Sequence, residues 1–163
     1  MKMKTKFFSV VLMMFLFASL SQAQDYKSAF GGKLGYGLIA SYKTFMNENN
    51  ALDIFGGIHW AGSLMGGVNY SIHKDISSVE RLRWYYGFGG NFFSYGGATG
   101  LANWFEVGVS GNIGLDYTFD NIPLNLSVDY VPTIVIFDND EFDRISRFRA
   151  GYGALTARYI LNR

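Results

Sequence analysis

Between Glu106 and Phe119 the chain reads EVGVSGNIGLDYTF, and its large apolar residues fall on alternate positions. Val107, Val109, Ile113, Leu115, Tyr117 and Phe119 share one parity; Glu106, Gly108, Ser110, Asn112, Gly114, Asp116 and Thr118 share the other. Successive side chains of a strand point to opposite faces, so one face here is greasy and the other small, polar and charged. An amphipathic helix would repeat its apolar residues three and four apart. The pattern restricts the chain to sheet structure whose two faces meet different surroundings.

The alternation recurs along most of the chain, and turn-forming residues divide it into eight strands. These are predicted over Tyr26–Leu34, Leu38–Phe45, Ala51–Trp60, Met65–His73, Arg83–Ser94, Trp104–Phe119, Leu124–Ile136 and Arg147–Leu161. Residues 26–45 are divided at Gly35-Tyr36-Gly37 because an even count closes a barrel with both termini at one end. The apolar parity includes Leu38, Ala40, Ile54, Ile58, Val68, Tyr70, Trp84, Phe88, Leu126, Val128, Leu155 and Tyr159. The polar parity holds Lys33, Ser41, Lys43, Asp53, His59, Asn69, Ser71, His73, Arg83, Asn91, Glu106, Asn112, Asp116, Asn125, Asp129 and Arg158.

Which face points inward decides the class. A soluble barrel would turn its greasy face in and its polar face to water. Here the polar parity also carries Gly35, Gly37, Gly57, Gly67, Gly87, Gly89, Gly108 and Gly114. Small residues suit a cramped lumen and large apolar ones suit lipid, where only a sheet without edges is tolerated. The expected fold is all-β: an eight-stranded antiparallel up-and-down transmembrane β-barrel, with a soluble lipocalin-like barrel as the alternative. Trp60 and Trp104 are expected near one rim and Tyr42, Tyr70, Trp84, Tyr117 and Tyr159 near the other, as two interfacial aromatic girdles.

The first 23 residues read as a separate segment. Lys2, Lys4 and Lys6 precede an uncharged apolar run from Phe7 to Leu20, and Ser21-Gln22-Ala23 puts small residues at the −3 and −1 positions. This is the pattern of a secretory signal peptide cleaved before Gln24; the run is shorter than the ~20 residues of a membrane-spanning helix. Residues 24–163 then form one barrel domain. Taking those three lysines from 14 basic side chains leaves 11 against 13 acidic, a formal charge of −2, which gives no reason to expect a nucleic-acid partner. The absence of cysteine excludes disulfides and thiolate metal sites.

The stretches YKTFMNENNALDIFGGIHW (42–60), WYYGFGGNF (84–92), GLDYTFDNIPLNLSVDYVP (114–132) and GYGALTARYIL (151–161) resemble the small eight-stranded Gram-negative outer-membrane barrels of the OmpX and OmpA-transmembrane type. More closely, the chain is similar to uncharacterised outer-membrane β-barrel proteins of like length. The resemblance implies residence in the outer membrane, short periplasmic turns, surface loops and insertion by the barrel-assembly machinery. It implies no activity. Such barrels usually end on an aromatic residue, whereas this chain continues past Tyr159 to Leu161-Asn162-Arg163.

Candidate chemistry is sparse. Lys43, Asp53, Arg83, Asp116, Asp129 and Arg158 are expected to form a structural polar network in the terminus-proximal half of the lumen, with Lys43 and Asp53 as direct cross-strand partners. The alternative use of those charges is a proton or solute path, but eight strands leave an interior only wide enough for side chains. Ser71 and His73 lie two apart on one face, a spacing compatible with a hydrolase, yet with neither an oxyanion hole nor a lipid-facing orientation. Asp138, Asp140, Glu141 and Asp143 make an acidic loop without the glycine and distal glutamate of a calcium loop. It is expected to be solvated, with divalent-cation bridging to lipopolysaccharide as the alternative. The glycines of 87–100 open no helix and so make no nucleotide site. No catalytic, cofactor-binding or metal residues are assigned. The expected protein is a monomeric outer-membrane barrel with a closed polar lumen and a structural or surface-interaction role. Its expected partners are outer-membrane lipids, lipopolysaccharide and an unidentified surface ligand. A lipid-modifying enzyme and a narrow pore are the alternatives.

Overall fold

The computed structural model describes residues 26–60, 62–95, 104–139, 147–150 and 152–163. The expected signal peptide (1–23) and residues 140–146 of the acidic loop lie outside the described residues. Every regular element among those described is a strand: β1 Ser28–Leu34, β2 Gly37–Phe45, β3 Asn50–His59, β4 Leu64–Asp75, β5 Leu82–Tyr95, β6 Trp104–Thr118, β7 Leu124–Tyr130, β8 Thr133–Asp138, β9 Phe148–Arg149 and β10 Gly153–Asn162. Consecutive strands pair antiparallel from β1 to β6, β6 pairs with both β7 and β8, and β10 joins β7 to β1. The result is a closed eight-stranded antiparallel barrel. Residues 26–45 make two strands, as the even count required, with Leu34 opposite Leu38 across a tight turn.

The ten segments make eight staves because two of them are interrupted. Leu124–Ile136, expected as one strand, is split at Val131-Pro132 into β7 and β8. Gly111 donates its N–H to the Pro132 carbonyl at 3.0 Å, but proline has no N–H to return. Farther along, Val107 pairs with Phe137 and Gly108 with Val135, so Ile136 is the extra residue of a bulge. Ile136 and Phe137 consequently both face outward. The last stave is similarly divided into β9 and β10.

The barrel is inside out relative to a soluble protein. Leu38, Ile54, Phe88, Val109, Ile113, Ile134, Leu155 and Tyr159 are exposed on its wall. Lys33, Lys43, Asp53, Asn69, His73, Arg83, Glu106, Asn112, Asp116, Asn125, Asp129 and Arg158 are buried inside it.

Glycine makes this interior fit. A Cβ on Gly114 would come within 2.5 Å of the ring of Tyr85, its direct partner across β5 and β6. A Cβ on Gly67 would meet the ring of its partner Phe55 at 2.6 Å, and one on Gly89 would meet the amide of its partner Asn69 at 2.0 Å. In these three pairs a bulkier inward side chain faces an inward glycine on the next strand. Narrow lumens are filled by this large–small pairing.

Candidate functional site

The lumen is layered along the barrel axis. At the terminus end Tyr26, Ala29, Phe45, Ala51 and Ile160 form an apolar cluster, with Tyr26 edge-on to Phe45 at 5.1 Å. At the opposite end Tyr36, Ile39, Phe55, Met65, Phe93, Val131, Tyr152 and Ala154 form another. Phe93 stacks on Tyr152 at 5.1 Å there, and Tyr36 tilts against it at 5.0 Å. Burial, with the Asp129 and Asp53 carboxylates as lesser causes, holds the Tyr36 hydroxyl well above the ordinary tyrosine pKa, so that cap carries no charge. Two clusters of polar groups, built on Asp53 and Asp116, lie between the two apolar caps.

One polar cluster is built on Asp53. Its Oδ2 lies 2.7 Å from Lys33 Nζ and accepts from Arg158 Nη2 at 2.9 Å; its Oδ1 accepts from Ser41 Oγ at 2.6 Å. Arg158 also donates to Ser41 Oγ and Ser127 Oγ, each at 2.9 Å. Lys33 reaches across to Asp129 Oδ2 at 3.2 Å, where the Tyr85 hydroxyl donates as well. Planar guanidinium and flexible ammonium thus share one carboxylate, and the hydroxyls take up the remaining donors.

The second cluster is built on Asp116. Lys43 Nζ and Asn125 Nδ2 donate to its two oxygens, the Tyr26 hydroxyl donates at 3.3 Å, and His73 Nε2 lies 3.7 Å away. His73 is wedged between the rings of Phe45 and Tyr85, at 4.9 and 4.8 Å. Tyr85 joins the clusters: its hydroxyl serves Asp129 while its ring lies 4.7 Å from Lys43 Nζ.

Five of the six network residues named from sequence lie in these clusters: Lys43, Asp53, Asp116, Asp129 and Arg158. The sixth, Arg83, does not. Its Nε lies 2.9 Å from Asp75 Oδ1 at the barrel end, and its Nη2 donates to the Glu48 carbonyl and Asn49 Oδ1 in the turn below. Arg83 fastens the 46–49 turn to the barrel end.

Lys43 and Asp53 occupy facing register positions, yet each pairs elsewhere, Lys43 with Asp116 and Asp53 with Lys33 and Arg158. Register fixes where Cα atoms sit; in a narrow lumen a four-carbon stem reaches across the bore as readily as along the wall. Lys33, part of the inward set but absent from the named network, bridges Asp53 and Asp129. The signal available for it was its parity alone.

The remaining candidates are dispersed. Ser71 and His73 are both buried inside the lumen, away from the exposed apolar wall. His59 lies half-buried at the far end, 6.5 Å from the Tyr152 ring. Glu106 pairs with Arg149 and accepts from the Tyr95 hydroxyl at 3.5 Å near that mouth. Trp104, expected in the outer girdle, shares the inward parity of Glu106 and stacks on Tyr95 at 3.7 Å. Trp60 does project outward, with its indole N–H on the Gly35 carbonyl at 2.5 Å.

Fold and interior together define a class: a closed barrel with an apolar outer wall and a side-chain-filled, ion-paired lumen. Comparison with protein-family models, with curated proteins and with solved structures finds no match.

Proposed function

We propose that the chain is an integral outer-membrane β-barrel with a closed lumen and a structural or surface-interaction role, exported by its N-terminal signal peptide. The observation that carries this reading is the inverted distribution of chemistry. Burying Lys33, Lys43, Asp53, Asp116, Asp129 and Arg158 while exposing Leu38, Phe88, Ile113 and Leu155 would be untenable in water, because the exposed wall would aggregate. In a bilayer the same arrangement is favourable, since the wall meets hydrocarbon and the closed ladder leaves no strand edge in it. The paired carboxylates, ammoniums and guanidinium fill the bore, and the apolar layers above and below them support a plug rather than a path.

The test is fractionation of the envelope followed by gel mobility. The chain should sediment with the outer membrane, resist urea extraction, and migrate differently before and after boiling in detergent. Recovery in the soluble fraction would refute the membrane reading. In planar bilayers the purified protein should give no steady single-channel current; a reproducible ion-selective conductance would replace the plug with a pore.

A further inference from the structure

All the charged side chains on the described strands follow the inward alternation except one. Lys74, next to last in β4, projects from the outer wall and is exposed. Its register partner across β4 and β5 is Trp84, and its Nζ lies 5.8 Å from the ring centroids of both Trp84 and Tyr86. The two rings stack on each other at 5.2 Å. The adjacent carboxylate, Asp75, pairs with Arg83, and among the described residues none pairs with Lys74. Next along the wall come Ile72 and the Tyr70–Phe88 ring contact at 5.6 Å.

An ammonium held over two ring faces gains from their quadrupoles, but among the described residues no carboxylate stands beside it as a counter-charge. Its stem can lie along apolar surface while the head stays at the interface. An anion bound there would lie beside the ammonium and the indole, with an apolar strip below it long enough for an acyl chain. We infer that Lys74, Trp84 and Tyr86 form a headgroup site on the outer wall for the phosphate of an anionic glycerophospholipid. The inference rests on the membrane reading above. Lys74 sits at the end that carries the 46–49, 76–81 and 119–123 turns and both strand termini. In an even-stranded membrane barrel the start of the first strand and the end of the last lie on the periplasmic side, so the ligand is a phospholipid of the periplasmic leaflet. A zwitterionic headgroup brings its own ammonium and leaves Lys74 uncompensated; phosphatidylglycerol does not.

The experiment uses the full chain carrying Trp60→Phe and Trp104→Phe, so that Trp84 is the sole tryptophan and is excited selectively. It is refolded into phosphatidylcholine vesicles containing brominated phosphatidylglycerol, or brominated phosphatidylcholine as the reference quencher. Trp84 should select phosphatidylglycerol over phosphatidylcholine by about fivefold, the effect of one interfacial lysine on an anionic lipid. Lys74→Gln should abolish the selectivity, Lys74→Arg should keep it, and Lys27→Gln, at the same barrel end, should leave it unchanged. Equal quenching by both lipids in the parent, or selectivity that survives Lys74→Gln, overturns the site while leaving the membrane barrel intact. No quenching by either lipid means that the wall does not meet acyl chains, and the membrane reading falls with the site.

Discussion

The lumen geometry makes a quantitative claim about which charges are coupled. Asp116 is almost fully buried and accepts from Lys43, Asn125 and Tyr26. Replacing it with Asn removes the counter-charge of a buried ammonium, a change that costs about 3–5 kcal/mol. Lys43→Met should cost a similar amount for the converse reason. The double variant leaves neither charge stranded, so the coupling between Lys43 and Asp116 should be about 1.5–3 kcal/mol, at the upper end for residues in direct contact. Lys43 and Asp53 stand opposite each other in register but pair elsewhere, so their coupling should be less than half as large. Both cycles can be measured by urea unfolding in phospholipid vesicles, followed by tryptophan emission and by gel mobility. A Lys43–Asp53 coupling larger than Lys43–Asp116 would mean that the ion pairs follow the register and that the assignment of partners across the bore is wrong.

Other perturbations test the two faces and the export signal. Val109→Arg places a charge on the exposed wall, where Val109 is 48% accessible, and should cost about 2–4 kcal/mol in a bilayer; Ser110→Ala, one residue on and inside, should cost under about 1.5 kcal/mol. The reverse order in vesicle unfolding would assign the faces backwards. Gly114→Ala drives a methyl into Tyr85 and should destabilise by about 1–3 kcal/mol, whereas a Cβ on Gly90 meets nothing closer than 3.8 Å and Gly90→Ala should fall within about 0.5 kcal/mol. Mass spectrometry of the envelope protein should find an N-terminus at Gln24; retention of residues 1–23 would refute cleavage.

The fold was legible because one signal repeats through every strand. Alternation depends only on the two-residue period of an extended chain, and the glycines on the polar parity pointed to a narrow interior. What broke the pattern was local. Pro132 splits a strand for want of one N–H, and the bulge at Ile136 turns Ile136 and Phe137 outward together. A single extra residue cannot be distinguished from ordinary variation when the wall is apolar throughout. Trp104 lies at the expected rim but takes the inward parity, and the reason is related: strand-end position says how far along the axis a ring lies, while parity decides which way it faces.

The lumen was less legible because its chemistry depends on cross-strand partners. Phe45, Phe55, Tyr85 and Phe93 share the polar parity and look like exceptions in a one-dimensional reading. In the barrel they fill the interior: Phe55 and Phe93 pack into the apolar cluster at one end, Phe45 into that at the other, and Tyr85 spans the two carboxylate clusters between. Only register shows that Tyr85 fits because Gly114 faces it and Phe55 because Gly67 does. That complementarity also bears on the choice between plug and pore. A conducting bore would need its small residues to face one another and leave a gap. Here Gly67, Gly89 and Gly114 each face a ring or an amide, so the space that these small residues create on one strand is occupied from the next. Widening the bore by removing one charge would therefore leave it closed, and Asp53→Asn should unfold more easily without conducting.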